Sequence, residues 1–313
     1  MLKLSRNDFE EVRLWVHRNA RETELALWKY HFENGSQDDV LKALAVYQND
    51  DGGFGHALEP DDWNPASSPY RTLRAMDILD SICFTDTAHP VWRGIFRFLD
   101  SGALYNEYGW QFSIPSNADY PHAPWWTYNE DANTYESIGV TAEIAAYILK
   151  YGDKDAPLYQ KALRETSRIL GLIGNTEKNG DMGIGGYCRL LDALRRTGLD
   201  TGYDIAAVSD RVRELVKSSI QQDTTKWEFY GVRPSKYITS PDSVYYADNR
   251  DIAETELDYL IKTRPTGGVW GITWSWFDNN EKYAKAFAVS ENWWKANLAV
   301  SKLLMLRNFG RLE

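Results

Sequence analysis

Apolar residues along this chain recur mostly at intervals of three and four. Phe9, Val12 and Val16 form one stripe, and Leu25, Trp28 and Phe32 form a second. Val289, Trp293, Ala296, Val300 and Leu303 form a third, about four helical turns long. Similar periodicity predicts helices over 38–48, 69–82, 90–100, 137–150, 157–172, 186–197, 204–220 and 250–262. Boundary signals support several of them. Asn7 stands three residues before Glu10, the spacing of a capping box. Ser68-Pro69 reads as an N-cap followed by proline at the first helical position, and His89-Pro90 opens a helix the same way. Gly152 and Gly198 follow apolar runs, where a terminating glycine belongs. Alternation typical of strands is confined to Tyr108–Ile114 and Val244–Tyr246, neither with neighbours to make a sheet. The expected fold class is therefore all-α, from about a dozen helices of ordinary length.

Four polar-aromatic stretches interrupt the helical pattern: Asp50–Ser67, Asn106–Glu136, Lys226–Asn249 and Thr263–Lys282. Loops this long in a compact protein are usually functional or disordered, and their tryptophans argue for order. No low-complexity linker or break in composition divides the chain, so residues 1–313 are read as one domain. A glycine pair followed by an aromatic residue occurs at Gly52-Gly53-Phe54-Gly55. It returns at Gly267-Gly268-Val269-Trp270-Gly271, and more faintly at Gly185-Gly186-Tyr187. The recurrence suggests helix pairs joined by similar turns and closed into a ring.

Composition narrows the function classes. The net charge of -10 disfavours nucleic acid and anionic membrane surfaces, both of which need clustered lysine and arginine. No apolar run approaches the ~20 residues of a membrane span. The opening residues lack the apolar core of a secretory signal, so a cytoplasmic location is expected. Two cysteines make neither a disulfide framework nor a cysteine-rich zinc site, and five scattered histidines form no metal-ligand spacing. No metal or cofactor is therefore expected. The unusual feature is aromatic content: 13 tryptophans and 19 tyrosines exceed what an ordinary core requires, and point to an aromatic-lined cavity.

The segment from Lys42 to Leu79 carries a resemblance. A helix ends in Gln48, an acidic turn leads into Gly52-Gly53-Phe54-Gly55, and the next helix carries Thr72 and Ala75. This resembles the repeat of the terpene cyclase and protein prenyltransferase superfamily. Further matches are Leu58-Glu59-Pro60-Asp61, Ser67-Ser68-Pro69, Pro124-Trp125-Trp126, Ser240-Pro241-Asp242-Ser243 and Phe309-Gly310-Arg311. They extend the similarity to an uncharacterised bacterial branch of that superfamily, from about Val46 to Arg311. The resemblance implies an α/α toroid of paired helices, with the glutamine side chain tying its turn to adjacent helices. It implies no zinc site here, because the Asp, Cys and His set of the prenyltransferases has no counterpart. The cyclase Asp-x-Asp-Asp motif has only Glu59-Pro60-Asp61-Asp62 as a near match.

Glu59, Asp61 and Asp62 are the sharpest chemical candidates. Three carboxyls in four residues repel one another, so one should hold its proton more tightly and serve as a general acid. By the cyclase analogy Asp61 is the donor and Glu59 or Asp62 its orienter; the alternative is a solvated acidic loop or a set of helix caps. His56, three residues before Glu59, either orients a carboxylate or makes a local hydrogen bond. Trp125, Trp126, Trp270, Trp274 and Trp276 are candidate ligand-binding faces, for a carbocation, an apolar chain or a sugar ring, or else packing residues. Asp131 with Glu136 and Glu254 with Glu256 are further acidic pairs, read as solvated helix faces. The leading expectation is a terpene cyclase- or prenyltransferase-like enzyme acting on an apolar isoprenoid by acid–base chemistry. Two alternatives stand beside it: a carbohydrate hydrolase or lyase taking a glycan, and a non-catalytic scaffold. Substrate, product and oligomeric state have no signature in the sequence.

Overall fold

The computed structural model describes residues 1–174 and 179–313, residue 181 by its backbone alone. It is all-α: among the described residues there are twelve α-helices, and the one sheet is a hairpin pairing Tyr105–Asn106 with Gly109–Trp110. The chain packs as two compact units. One is formed by Met1–Leu44 with Val216–Glu313, the other by Ala45–Leu215.

The first unit contains α1 (Arg6–Asn19), α2 (Glu22–Phe32) and most of α3 (Gln37–Ala45) from the early part of the chain. The late part adds α10 (Arg250–Thr263), the single turn α11 (Asn279–Lys282) and α12 (Ala284–Asn308). Here α1, α2 and α12 pack on one another. Val12 and Val16 of α1 and Trp28 of α2 are fully buried, as the stripes predict. The cap of α1 differs from expectation. Ser5, not Asn7, precedes the helix and accepts a hydrogen bond from the Asp8 amide at 3.1 Å. A backbone bridge joins the two ends of this unit: the Leu4 amide donates to the Arg311 carbonyl, and the Glu313 amide to the Leu4 carbonyl.

The second unit contains α4 (Pro69–Ser81), α5 (Pro90–Asp100), α6 (Glu130–Tyr151), α7 (Pro157–Ile173), α8 (Gly180–Thr197) and most of α9 (Ile205–Ser219). Ser68 and His89 cap α4 and α5 as predicted, and Gly198 ends α8 in the left-handed conformation at φ 72°. Helix α6 begins seven residues earlier than its apolar pattern (130 against 137), because the Asn129 side chain accepts from the Ala132 amide. From Ser137 to Leu149 it is buried on every side, packed against α7 and α8. The faint turn expected at Gly185-Gly186-Tyr187 is instead part of α8. Its glycine serves packing: a Cβ on Gly186 would stand 2.6 Å from the Gly139 carbonyl oxygen of α6. The Gly52-Gly53 pair does form a turn. Gly52 sits at φ 96°, and a Cβ there would collide with the Gly94 carbonyl of α5 at 2.1 Å. The Gln48 side chain donates both to the Gly52 carbonyl of this turn (2.9 Å) and to the Val91 carbonyl in the first turn of α5 (3.1 Å).

Of the two strand-like stretches, Tyr108–Ile114 contributes only the short edge at Gly109–Trp110, and Val244–Tyr246 lies in turns. No helix among the described residues is long and apolar enough to cross a membrane.

Candidate active site

The acidic loop belongs to the second unit and is anchored by backbone pairing. The Ala123 amide donates to the Asp61 carbonyl at 2.8 Å, and the Trp63 amide to the Pro121 carbonyl at 3.0 Å. Pairing of this kind takes the loop out of water: Glu59, Asp61 and Asp62 are each only 2% exposed. The solvated acidic loop is thereby excluded.

The three carboxyls differ in what surrounds them. Asp62 is committed to structure. It forms a buried ion pair with Arg71, whose guanidinium also donates to the Ala66 carbonyl at 3.0 Å. Asn64 and Asn117 complete this nest, joined to each other at 2.9 Å, and Asn117 donates to the Trp126 carbonyl at 2.8 Å. Burial raises the Asp62 carboxyl above the usual aspartate range despite Arg71 beside it. Asp61 is buried within the same loop.

Glu59 is the carboxyl of the three with an unsatisfied oxygen. One of its carboxyl oxygens, Oε2, is buried with no hydrogen-bond partner. Its nearest cation is Arg74, with Nε 3.7 Å away, beyond hydrogen-bond reach. Burial pushes the Glu59 carboxyl up to about 8, with the charges of Asp61 and Asp62 adding to the rise and Arg74 opposing it. Mutual repulsion, the cause expected from the sequence, is therefore secondary to desolvation. Asp61, the donor expected from the sequence, is as deeply buried as Glu59.

Beyond Glu59 lies a chain of charges built on three helices. Tyr70, Arg74 and Asp77 recur at i, i+4 and i+7 and share one face of α4. Glu143 and Tyr147 are one turn apart on α6, and Arg189 projects from α8. Arg74 Nη1 meets Asp77 Oδ2 at 3.3 Å, Arg189 Nη2 meets Asp77 Oδ1 at 3.0 Å, and Arg189 Nε meets Glu143 Oε2 at 2.8 Å. The Tyr147 hydroxyl donates to Asp77 at 2.8 Å and itself contacts Arg189. These groups reach solvent: the side chains of Arg74 and Arg189 are 28% and 37% exposed. Burial and the carboxylates around it raise the Tyr147 phenol well above the usual tyrosine range.

Aromatic rings flank the same face. Tyr70 lies 4.4 Å from Trp126 between ring centroids and 5.7 Å from Phe112, which stacks on Trp126 at 4.7 Å. Trp126 is buried, with its indole N–H unpartnered, whereas its neighbour Trp125 is 37% exposed. His56 is exposed on its turn and pairs with the Asn49 side chain at 2.8 Å, the local bond weighed against a catalytic part.

Trp270, Trp274 and Trp276 belong to the first unit. Trp270 is buried and donates to the Leu260 carbonyl at 2.9 Å. Trp274 packs edge-on against Tyr230 and Trp294, and Trp276 is fully buried against Phe287. Trp270 and Trp276 are thus buried, and Trp274 is half-buried among aromatic rings. The Glu254–Glu256 pair departs from its expected solvated face. Glu254 pairs with Arg311, and Glu256 is 1% exposed and held by Ser235.

Arg74, Asp77, Glu143 and Arg189 were not singled out in the sequence. One signal was available: Glu143 is the lone charge between Ile138 and Leu149, and a carboxylate inside an apolar helix requires a partner. Among the described residues no group of three or more His, Cys, Asp and Glu side chains is arranged to hold a metal ion. Comparison with protein-family models, curated proteins and solved structures finds no match to this chain.

Proposed function

We propose that this chain is an acid–base enzyme whose proton donor is Glu59. The observation that carries this reading is the buried carboxyl with one unpartnered oxygen, 3.7 Å from the Arg74 guanidinium. With a pKa near 8, Glu59 holds its proton at neutral pH and can deliver it to a substrate oxygen or double bond. Arg74 then stabilises the carboxylate that remains, and Arg189 offers further donors to polar groups on the ligand. A charged, hydroxyl-bearing rim of this kind favours a glycan-type substrate, whose oxygens match guanidinium donors. The isoprenoid reading is favoured by a different observation, the Tyr70–Phe112–Trp126 stack, which offers π-faces to an apolar or cationic intermediate. The α/α toroid, a cytoplasmic location and the absence of nucleic-acid partners are carried with this reading as parts of the same proposal.

The test is a screen of oligosaccharides and isoprenoids against the wild type, followed by Glu59→Gln and Asp61→Asn on any substrate found. Glu59→Gln is expected to lower turnover by about 10²–10⁴-fold, the usual worth of a general acid, while leaving the protein folded. Full activity in a folded Glu59→Gln protein would remove Glu59 from the mechanism. Loss in Asp61→Asn alone would return the role to Asp61. Inactivity of the wild type on both libraries would leave the scaffold reading in the lead.

A further inference from the structure

In the first unit, the loop that leads to α10 closes on itself. The Gln221 amide donates to the Val232 carbonyl at 2.9 Å, the Trp227 indole N–H to the Gln221 carbonyl at 3.0 Å, and the Arg233 guanidinium to the Trp227 carbonyl. This closed loop walls an open cavity of about 150 Å³, lined by Trp227, Phe229 and Tyr230 together with Gln221, Lys226 and Arg233. Trp227 is buried, whereas Phe229 and Tyr230 are 63% and 68% exposed. Apolar rings left open beside a cavity are a surface for a ligand to cover. Tyr230 meets Trp274 edge-on, 6.4 Å between centroids. Arg233 is half-buried, over the rings of Tyr259 and Trp227 at 5.2 and 5.8 Å from their centroids. Among the described residues no carboxylate lies within 4.0 Å of it, and its donors beyond the one on Trp227 meet no protein acceptor. Glu256 of α10, which anchors the next stretch of the loop, is occupied: it accepts from the Ser235 amide at 2.7 Å and from the Ser235 hydroxyl at 2.6 Å.

We propose that this cavity binds a small arenecarboxylate, its ring against Phe229 and Tyr230 and its carboxylate on Arg233. A guanidinium meets a carboxylate with two parallel N–H···O bonds, and a half-buried setting strengthens them relative to water. Lys226 adds a second positive charge to the lining. Its own partner, Asp223, stands 3.7 Å away in an exposed pair that solvent screens. The walls select an arene over a sugar. Three of them are aromatic side chains, against one amide, Gln221, whose oxygen already accepts from the Asp223 amide at 3.0 Å. A hexuronate brings the same carboxylate but also several hydroxyls, which aromatic walls leave unpaired. The site lies wholly within Val216–Glu313 and shares no residue with the acidic loop, so it stands independently of the role of Glu59.

The test is a fluorine NMR titration of the full chain with para-fluorobenzoate at pH 7 and low salt. The probe resonance is expected to shift and broaden saturably. Para-fluorobenzyl alcohol keeps the ring without the charge, and acetate keeps the charge without the ring. Each should bind at least about tenfold more weakly. Glucuronate should displace the probe no better than acetate does. Arg233→Met is expected to weaken binding at least about tenfold, the worth of a charged hydrogen-bonded contact. Arg233 also holds the Trp227 carbonyl, so Phe229→Ala is the second variant. Its side chain is 63% exposed, the fold is kept, and affinity should fall about two- to tenfold. Absence of saturable binding would overturn the proposal. So would unchanged affinity in both variants, which places the probe elsewhere on the chain. Equal binding of the benzyl alcohol would mark a site for neutral rings, and tighter binding of glucuronate a site for sugars; either result overturns the assignment.

Discussion

Replacing Glu59 by glutamine should change how stability depends on pH, and the size of the change follows from the surroundings of the carboxyl. In the folded chain Glu59 holds its proton up to about pH 8, against an ordinary value of 4.5. Between those values the folded state keeps a proton that the unfolded state has lost. The contribution of this group is therefore fully present below about pH 4.5 and is lost as pH rises toward 8. Each pH unit in that window is worth ~1.4 kcal/mol. From pH 5 to 8 the full shift corresponds to ~4 kcal/mol, and relaxation around the ionised carboxylate brings the expected loss to about 2–4 kcal/mol. Glutamine has the same shape and no proton to lose. Urea unfolding of wild type and Glu59→Gln at pH 5, 6, 7 and 8 should give curves that diverge steadily, the variant gaining about 2–4 kcal/mol on the wild type by pH 8. Asp62 titrates in both proteins and drops out of the difference to first order. Parallel curves across this range would mean that Glu59 is ionised in the folded state, and the assignment of a neutral acid would fail.

Two other substitutions probe the scaffold. Asp62→Ala strands Arg71 in the interior, and breaking a buried pair from one side should cost about 3–5 kcal/mol, seen as a large fall in thermal midpoint. Gly186→Ala drives a methyl group against the Gly139 carbonyl, where neither helix backbone yields easily. A loss of about 1–3 kcal/mol is expected by denaturant titration, with weakened near-ultraviolet circular dichroism as α6 and α8 part.

The helices were legible where local chemistry decides them. Ser68-Pro69 and His89-Pro90 announce α4 and α5 because a cap and a first-turn proline act within four residues. Helix starts that rest on longer reach were missed. Periodicity shows nothing at Glu130–Glu136, since the cap at Asn129 precedes the apolar run by a full two turns. Gly186 reads as a turn in sequence because its reason for being glycine lies on another helix, 47 residues away at Gly139. The candidate site was half legible. The acidic loop is visible in four residues, but which carboxyl stays neutral depends on burial and on Arg71 and Arg74, whose faces on α4 differ by three positions. Arg71 turns inward to pair with Asp62, and Arg74 stands 3.7 Å from Glu59 and leaves its buried Oε2 without a hydrogen bond. No pattern of charges along the chain distinguishes those outcomes.

The backbone bridge between Leu4 and Arg311–Glu313 closes a unit whose two parts are separated by the whole of residues 45–215. The ribosome delivers those parts at different times. Helices α1 and α2 emerge early with Trp28, Val12 and Val16 lacking the α12 surface they are to cover, while the intervening unit has all of its own sequence available sooner. At ordinary elongation rates, on the order of 5–20 residues per second, the early helices wait many seconds for their partner. During that wait their apolar stripe is a ready client for a chaperone. This unit can therefore be completed only once residues 216–313 have been translated.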